Sequence, residues 1–298
     1  MIVISGASGF IGTYLLENIP FSQAISLRSN DWQNRLRESD VVINLVGKAH
    51  DHRGTAKERD YYYANLDLLK EIYNQFTKSS ASLFIHVSSL AALEEYESND
   101  YLDERSPCNP HSFYGKSKRD AEKWLLVQSI PEGKKVIILR PPMVHGPGDK
   151  GNMGLLYKLI SKGIPYPLSA FNNSRSFISL DNFKFFINEI ITKRELLVSG
   201  IYHISDDDPI STKEIIQVIK SVTNKKVPNI AVPKFFVYIL AKIGDILPIP
   251  LNSKRLKKMT SNLLVSNVKI KTSLGIQKLP LSAKEGLEIT IKSFNKAK

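Results

Sequence analysis

Through the first half of the chain, short apolar runs alternate with stretches whose apolar positions recur at helical spacing. MIVIS leads into a glycine turn, and FIGTYLLENI then carries apolar residues three and four apart. AISLR, DVVINLVG, SLFIHVSS and KKVIILRPPMV are further runs, the last following the helical stretch SKRDAEKWLLVQ. Strands that alternate with helices predict an α/β chain built on a doubly wound parallel sheet. Runs 41–46, but for Asn44, and 136–139 are apolar at successive positions rather than alternating, the pattern of strands covered on both faces.

Beyond Pro141 and Pro142 the pattern loosens. VHGPGDKGN reads as a loop from its Gly, Pro and Asp content, and GIYHIS as another strand. Ser211 followed by Glu214 is a capping-box start to the helix KEIIQVIKSV. Pro228, Pro233, Pro248 and Pro250 then divide the chain into short pieces. The expected organisation is a nucleotide-binding unit over 1–145 and a smaller, mixed lobe over 146–298, with part of 176–206 returning to the first sheet. That lobe is placed over the carboxyl edge of the strands, where open α/β sheets bind ligands. No internal repeat or low-complexity block interrupts this picture.

Composition narrows the class. Apolar residues at 42% and charged residues at 23% of 298 are globular values. The single cysteine, Cys108, excludes an internal disulfide and a metal site of the thiolate kind, so no metal is expected and a reducing cytoplasm is. No secretory leader pattern opens the chain. The most apolar later stretch, FFVYILAKIGDIL, is broken by Lys242 and Asp245 and is too short to span a bilayer. Of the net +12 charge most sits at the end: residues 251–298 hold 11 Lys and Arg against 2 Asp and Glu. A lysine-rich solvated surface accounts for this. No stacking aromatics are interleaved with it, so nucleic acid is not expected.

SGASGFIG places Gly6, Gly9 and Gly12 between the first strand and the first helix. Glycines there permit a tight turn and let a pyrophosphate approach the backbone, with the helix N–H groups facing the phosphates. This predicts a dinucleotide site. The second strand should end near the adenosine ribose, where an acidic residue holds the 2′-hydroxyl of NAD and a basic one accommodates the 2′-phosphate of NADP. Arg28 stands there, so NADP(H) is favoured over NAD(H).

Tyr114 and Lys118, four residues apart, share a helical face. A tyrosine titrates near ~10, so acid–base work needs a neighbouring positive charge to favour the phenolate. Ser88 and Ser89 close an apolar run where a site on this sheet should open. Taken alone, a Tyr-x-x-x-Lys pair is common and carries little.

Together, the glycine turn, Ser-Ser and YGKSK resemble the extended short-chain dehydrogenase/reductase family, the NAD(P)-dependent epimerases, dehydratases and reductases of nucleotide sugars. The resemblance covers nearly the whole chain and implies a Rossmann-type sheet. DVVINLVG is similar to the strand whose end lines the cofactor, YYYANLDLL to the Tyr-x-x-Asn helix, and LRPPMVHGPG to the strand and loop after the catalytic helix. RSFISLDN and SNVKIKTSLGI are similar to the family's later segments. By that resemblance Ser89, Tyr114 and Lys118 are catalytic. Gly6, Ser8, Gly9, Phe10, Ile11, Gly12, Arg28, Leu45, Val46, Gly47, Asn65, Tyr114, Lys118, Pro141 and Val144 line the cofactor. Ser89, Asn152 and Arg175 hold substrate, Arg175 and Asn152 at its diphosphate. The chain departs from the family where Asn-x-x-Gly-Thr is replaced by Asn65-Leu-Asp-Leu-Leu, and where no aromatic follows Ser89 shortly. No Asp-Glu pair follows Ser89, which argues against a 4,6-dehydratase.

The resemblance implies hydride transfer at C4 of a UDP-linked sugar. The first expectation is reduction of a UDP-4-keto-6-deoxy-N-acetylhexosamine for surface polysaccharide. The alternative is a UDP-hexose 4-epimerase with retained NAD, and the remote one a non-catalytic NADP-sensing regulator. A homodimer is usual in such a family. The expected location is the cytoplasm, and the basic end together with FFVYILAKIGDIL permits association with the inner membrane face.

Overall fold

The structure is a computed structural model that describes residues 1–49, 55–149, 151–228, 230–247 and 252–296, the side chains of Asn152 and Lys296 excepted. Pro248 and Pro250, invoked above as chain breakers, lie outside the described residues, as does Lys150 of the glycine-rich loop.

β1 (Ile2–Ser5) passes through the glycine turn into α1 (Phe10–Asn18), followed by β2 (Ser22–Ile25), α2 (Trp32–Arg37) and β3 (Val41–Asn44). α3 (Glu58–Tyr62) and α4 (Leu68–Thr77) are joined by a π-helical turn, Tyr63–Asp67, and lead to β4 (Leu83–Val87). A short β5 (Tyr101–Leu102) precedes α5 (Phe113–Leu126), β6 (Lys135–Arg140), β7 (Met143–His145) and α6 (Asn152–Ser161). β8 (Phe177–Ser179), α7 (Leu180–Thr192), β9 (Gly200–His203) and α8 (Thr212–Thr223) come next. α9 (Lys234–Gly244), α10 (Ser253–Thr260), β10 (Leu264–Val265), α11 (Val268–Leu274) and α12 (Ala283–Lys296) complete the order.

Six strands form one parallel sheet in the order β2-β1-β3-β4-β6-β9. This is the doubly wound arrangement that the alternating pattern predicts. Its two faces are divided by the pleat. Ile4, Ile43, Ile85 and Leu139 pack towards α1, α7 and α11, while Val3, Val42, Phe84 and Ile138 pack towards α2, α4 and α5. A strand buried on both faces reads as a near-continuous apolar run, and β4 is buried at all five positions with His86 its one polar residue.

A second apolar cluster gathers α6, α8, α9, α10 and α12 around Tyr157, Ile219, Val237, Leu256 and Leu287. The capping box is present: Ser211 Oγ accepts from the Glu214 N–H, and the Glu214 carboxylate accepts from the Ser211 N–H at 2.7 Å.

Three local expectations are corrected. The second strand ends at Ile25, so Arg28 falls in the turn after it. VHGPGDKGN begins as strand rather than loop, because β7 pairs in parallel with β8. YYYANLDLL is not one uninterrupted α-helix: the π turn centred on Asn65 interrupts it.

Candidate active site

The order of the sheet reverses between β1 and β3, which lie side by side while their following connections run to opposite edges. Ligands of open α/β sheets bind at the carboxyl side of such a switch point. The glycine turn sits there. Gly6 adopts φ +76°, and a Cβ on it would lie 2.7 Å from the Leu45 carbonyl carbon. A Cβ on Gly12 would press into the Gly6 carbonyl oxygen and the Ala7 backbone. Only glycine lets the turn close against both β3 and its own helix. Gly9 caps α1 without any side-chain hydrogen bond, which leaves the first-turn N–H groups of Phe10 and Ile11 available to an anion. Ser8 and Gly9 are exposed at this turn, Leu45 and Val46 face it from the end of β3, and Gly47 beyond them lies against Asn65 and Lys118. These residues fit a bound dinucleotide.

A polar ladder crosses the strands beneath. Ser5 Oγ donates to Asn44 Oδ1 at 2.8 Å, and the same oxygen accepts from the Val46 N–H at 3.0 Å. Asn44 Nδ2 lies 3.2 Å from His86 Nδ1. His86 is fully buried, and burial followed by the nearby Lys118 charge holds its pKa well below the usual imidazole range.

α5 supplies the central pair. Ser112 Oγ accepts from the Gly115 N–H at 3.0 Å and starts the helix. Ser117, Lys118, Ala121, Glu122 and Leu125 form its buried stripe. Lys118 Nζ donates to the Val87 carbonyl oxygen at 3.0 Å, which ties the helix to the end of β4. Burial pushes its pKa down to about 8, against an opposing pull from Glu122. Tyr114, one turn earlier, is half-buried, with its hydroxyl beside that of Ser89. Burial raises the tyrosine's pKa; the Ser89 hydroxyl works against this and the Glu95 charge adds to it. Ser89, Tyr114 and Lys118 are therefore brought together at the carboxyl edge of β4.

Asn65 closes the group from the π turn. Its Oδ1 accepts from the Lys48 N–H at 2.9 Å, and its Nδ2 donates to Ser117 Oγ at 2.8 Å. Pro141 is buried, and its carbonyl oxygen accepts from the Leu90 N–H at 2.8 Å beside Ser89; Val144 lies within β7. Arg175 lies on the other side of the 94–97 segment, with Nη1 donating to the carbonyl oxygens of Tyr96 at 3.2 Å and Ser261 at 3.1 Å. Burial lowers its pKa to about 10. Arg28 is exposed, with its N–H donating to Ser26 Oγ at 3.4 Å. Asn152 opens α6, and its side chain lies outside the described residues.

Two acidic residues escaped the sequence reading. Glu95 accepts from both the N–H and Oγ of Ser112, at 3.0 and 2.6 Å, and so anchors the start of α5. Glu122 accepts from Ser88 Oγ at 2.6 Å and pairs with Arg140 through both carboxylate oxygens, at 2.8 and 2.6 Å. The spacing of Glu122, one turn beyond Lys118 on the same face, was the signal that could have found it.

Residues 20–179 match the model of the NAD dependent epimerase/dehydratase family. The UDP-glucose 4-epimerase of Vibrio cholerae is 25% identical to this chain, over 99% of the chain and 96% of its own length. The N-acetyl-alpha-D-glucosaminyl-diphospho-ditrans,octacis-undecaprenol 4-epimerase of Escherichia coli O157:H7 is 26% identical, over 97% and 94%. Among solved structures, UDP-glucuronic acid 4-epimerase from Bacillus cereus, in complex with UDP-glucuronic acid and NAD, superposes with a TM-score of 0.78 at 17% identity, covering 100% of this chain and 99% of that one. Its glycine turn, its sheet and a family match over more than half its length lead to one conclusion: the chain belongs to the NAD dependent epimerase/dehydratase family of enzymes.

Proposed function

We propose that this enzyme is a 4-epimerase of a sugar linked through a diphosphate, UDP-linked in the first instance, working with retained NAD. The observation that supports hydride transfer at C4 is the meeting of Ser89, Tyr114 and Lys118 at the carboxyl edge of β4; the choice of epimerase over reductase rests on the relatives. Two relatives that match along nearly their whole length are 4-epimerases, and this moves the balance from the reductase expected above to the epimerase.

A bound nicotinamide would supply the hydride acceptor and donor for C4 of the sugar. The rest falls to the chain. Tyr114 accepts the C4 hydroxyl proton as the hydride departs and gives it back when the hydride returns to the opposite face. No net oxidation results. Ser89 hydrogen-bonds the same oxygen, and the Lys118 ammonium favours the phenolate form of Tyr114. Gly6, Ser8, Gly9, Phe10, Ile11 and Gly12 bind the pyrophosphate, while Leu45, Val46, Gly47, Asn65, Pro141 and Val144 line the cofactor's path. Arg175 and Asn152 hold the substrate diphosphate while the sugar turns. An arginine already short of solvent gains most from a phosphate partner. In this reading the six-stranded sheet carries the cofactor and the α6–α8–α12 lobe carries the sugar.

Mass spectrometry of nucleotide released from freshly denatured protein tests the reading. Near-stoichiometric NAD, followed by C4 inversion of a UDP-sugar without added cofactor, is the expected result. An empty site or NADP(H), with NADPH consumed by a 4-keto sugar, would replace the epimerase with the reductase.

A further inference from the structure

α9 is apolar almost all round, yet it buries only a narrow strip. Val237 and Ala241, four residues apart, are 4% and 1% exposed and pack into the second apolar cluster. Phe235, Phe236, Ile239, Leu240 and Ile243 point away from that cluster, and Phe235 and Phe236 are 69% and 61% exposed. Ile246, just beyond the helix, is 86% exposed. A patch of this extent on a folded chain marks a surface that meets something apolar.

The charge around the patch is one-sided. Residues 225–258 contain eight Lys and Arg against a single acidic residue, Asp245. That carboxylate is taken up at the start of α10, where it accepts from the Ser253 N–H at 2.9 Å and from Ser253 Oγ at 2.6 Å. Lys225, Lys226, Lys242 and Lys254 are exposed around it. An apolar helix face ringed by lysines is the arrangement that seats a helix in the headgroup region of an anionic bilayer, with the rings and branched chains in the acyl boundary and the ammonium groups among the phosphates. No helix among the described residues is long and apolar enough to cross a membrane.

We infer that the α9–α10 surface docks this enzyme on an anionic lipid bilayer. The occupant is lipid rather than a second copy of the chain, because two such surfaces brought face to face would set their lysines against each other. α10 then links the bilayer to the active-site rim. Lys257 pairs with Glu97 at 2.7 Å and Lys258 approaches Glu95 at 3.6 Å, the residue that anchors the start of α5. Docking holds the substrate opening within one helix length of the headgroups.

The test uses the whole chain and sucrose-loaded vesicles of phosphatidylethanolamine with phosphatidylglycerol, compared with vesicles of phosphatidylcholine alone. The protein should sediment with the anionic vesicles at low salt and be released by high salt. Phe235→Ser combined with Phe236→Ser should lose that binding, and Lys254→Glu should weaken it by about five-fold or more. Phe236→Trp, a gain-of-signal probe that needs no loss of function, should shift its emission to the blue with the anionic vesicles only. Absence of sedimentation by the unaltered chain, or binding that survives all these substitutions, overturns the inference. So does sedimentation velocity showing that the double phenylalanine variant turns a dimer into a monomer, which would make a second copy the occupant.

Discussion

Lys118 gives one of its ammonium protons to the carbonyl oxygen of Val87, 3.0 Å away at the end of β4. This bond ties the helix that presents Tyr114 to the end of the strand that leads into Ser89. The same bond takes the ammonium out of water, and an ammonium without water is destabilising unless it is fully paired.

Replacing Lys118 with methionine should therefore raise stability while removing activity. The folded pKa of about 8 lies below the unfolded 10.5, so between these values the folded chain holds fewer protons than the unfolded one. Stability of the unaltered enzyme then rises with pH across that window, by roughly 3 kcal/mol in all. Lys118→Met should flatten this slope and raise Tm at pH 7, measured by thermal unfolding in a pH series. A lower Tm for the variant at pH 7 would show that the charge is better compensated than its burial implies.

Tyr114→Phe keeps the ring in place and removes only the hydroxyl beside Ser89. Turnover should fall by roughly 10²–10⁴-fold, the range for loss of a positioned acid–base group. Nucleotide released on denaturation should remain at the unaltered level, because the hydroxyl is not what holds the dinucleotide. A variant with near-normal turnover would move the proton transfer to another residue.

The glycine turn and the shared helical face of Tyr114 and Lys118 were legible in the sequence because both are local; the reading of that pair as catalytic rested on the resemblance of the surrounding segments to a family, not on its spacing. The Glu122–Arg140 pair was not legible. Arg140 read only as the end of an apolar strand, and its partner lies on a different element. The π turn at Asn65 leaves no periodicity that separates it from an α-helix, so its three inward hydrogen bonds, two of them to the Lys48 backbone, were unseen. Reductase and epimerase were hard to separate for a chemical reason: in the proposed mechanism Ser89, Tyr114 and Lys118 would serve both directions of the hydride. The sequence allowed FFVYILAKIGDIL to meet a membrane but did not settle the exposure of α9, because such a run looks the same whether it faces the core or away from it.

Arg140→Leu should destabilise the chain by about 3–5 kcal/mol, since it leaves the Glu122 carboxylate buried without its bidentate partner. Arg119, at 3.2 Å, is a partial substitute. Adding Glu122→Leu should restore much of the loss, because two apolar residues in place of the pair leave no stranded charge. Denaturant unfolding of the single and double variants measures both steps. The double variant also frees Ser88, which donates to Glu122 at 2.6 Å, so its turnover should stay low even with stability regained. Recovery of both together would make the network purely structural.

Gly47→Ala tests how tightly the loop after β3 is fitted to the active site. The added Cβ would stand 2.6 Å from Asn65 Oδ1 and 3.1 Å from Lys118 Nζ. Asn65 has little freedom to yield: it is fully buried, and its amide is committed to Ser117 and to both backbone groups of Lys48. The strain must then pass to the loop itself or to Lys118, and either displaces a group next to Tyr114. Overpacking of this kind costs about 1–3 kcal/mol of stability. Turnover should fall further than that loss implies, by ~10²-fold, since a small misplacement beside the reacting groups is enough. Steady-state kinetics at saturating substrate, set beside thermal unfolding of the same preparation, separates the two effects. An alanine variant with full turnover would mean that Asn65 and Lys118 move aside together, and that the close approach of Gly47 is tolerance rather than fit.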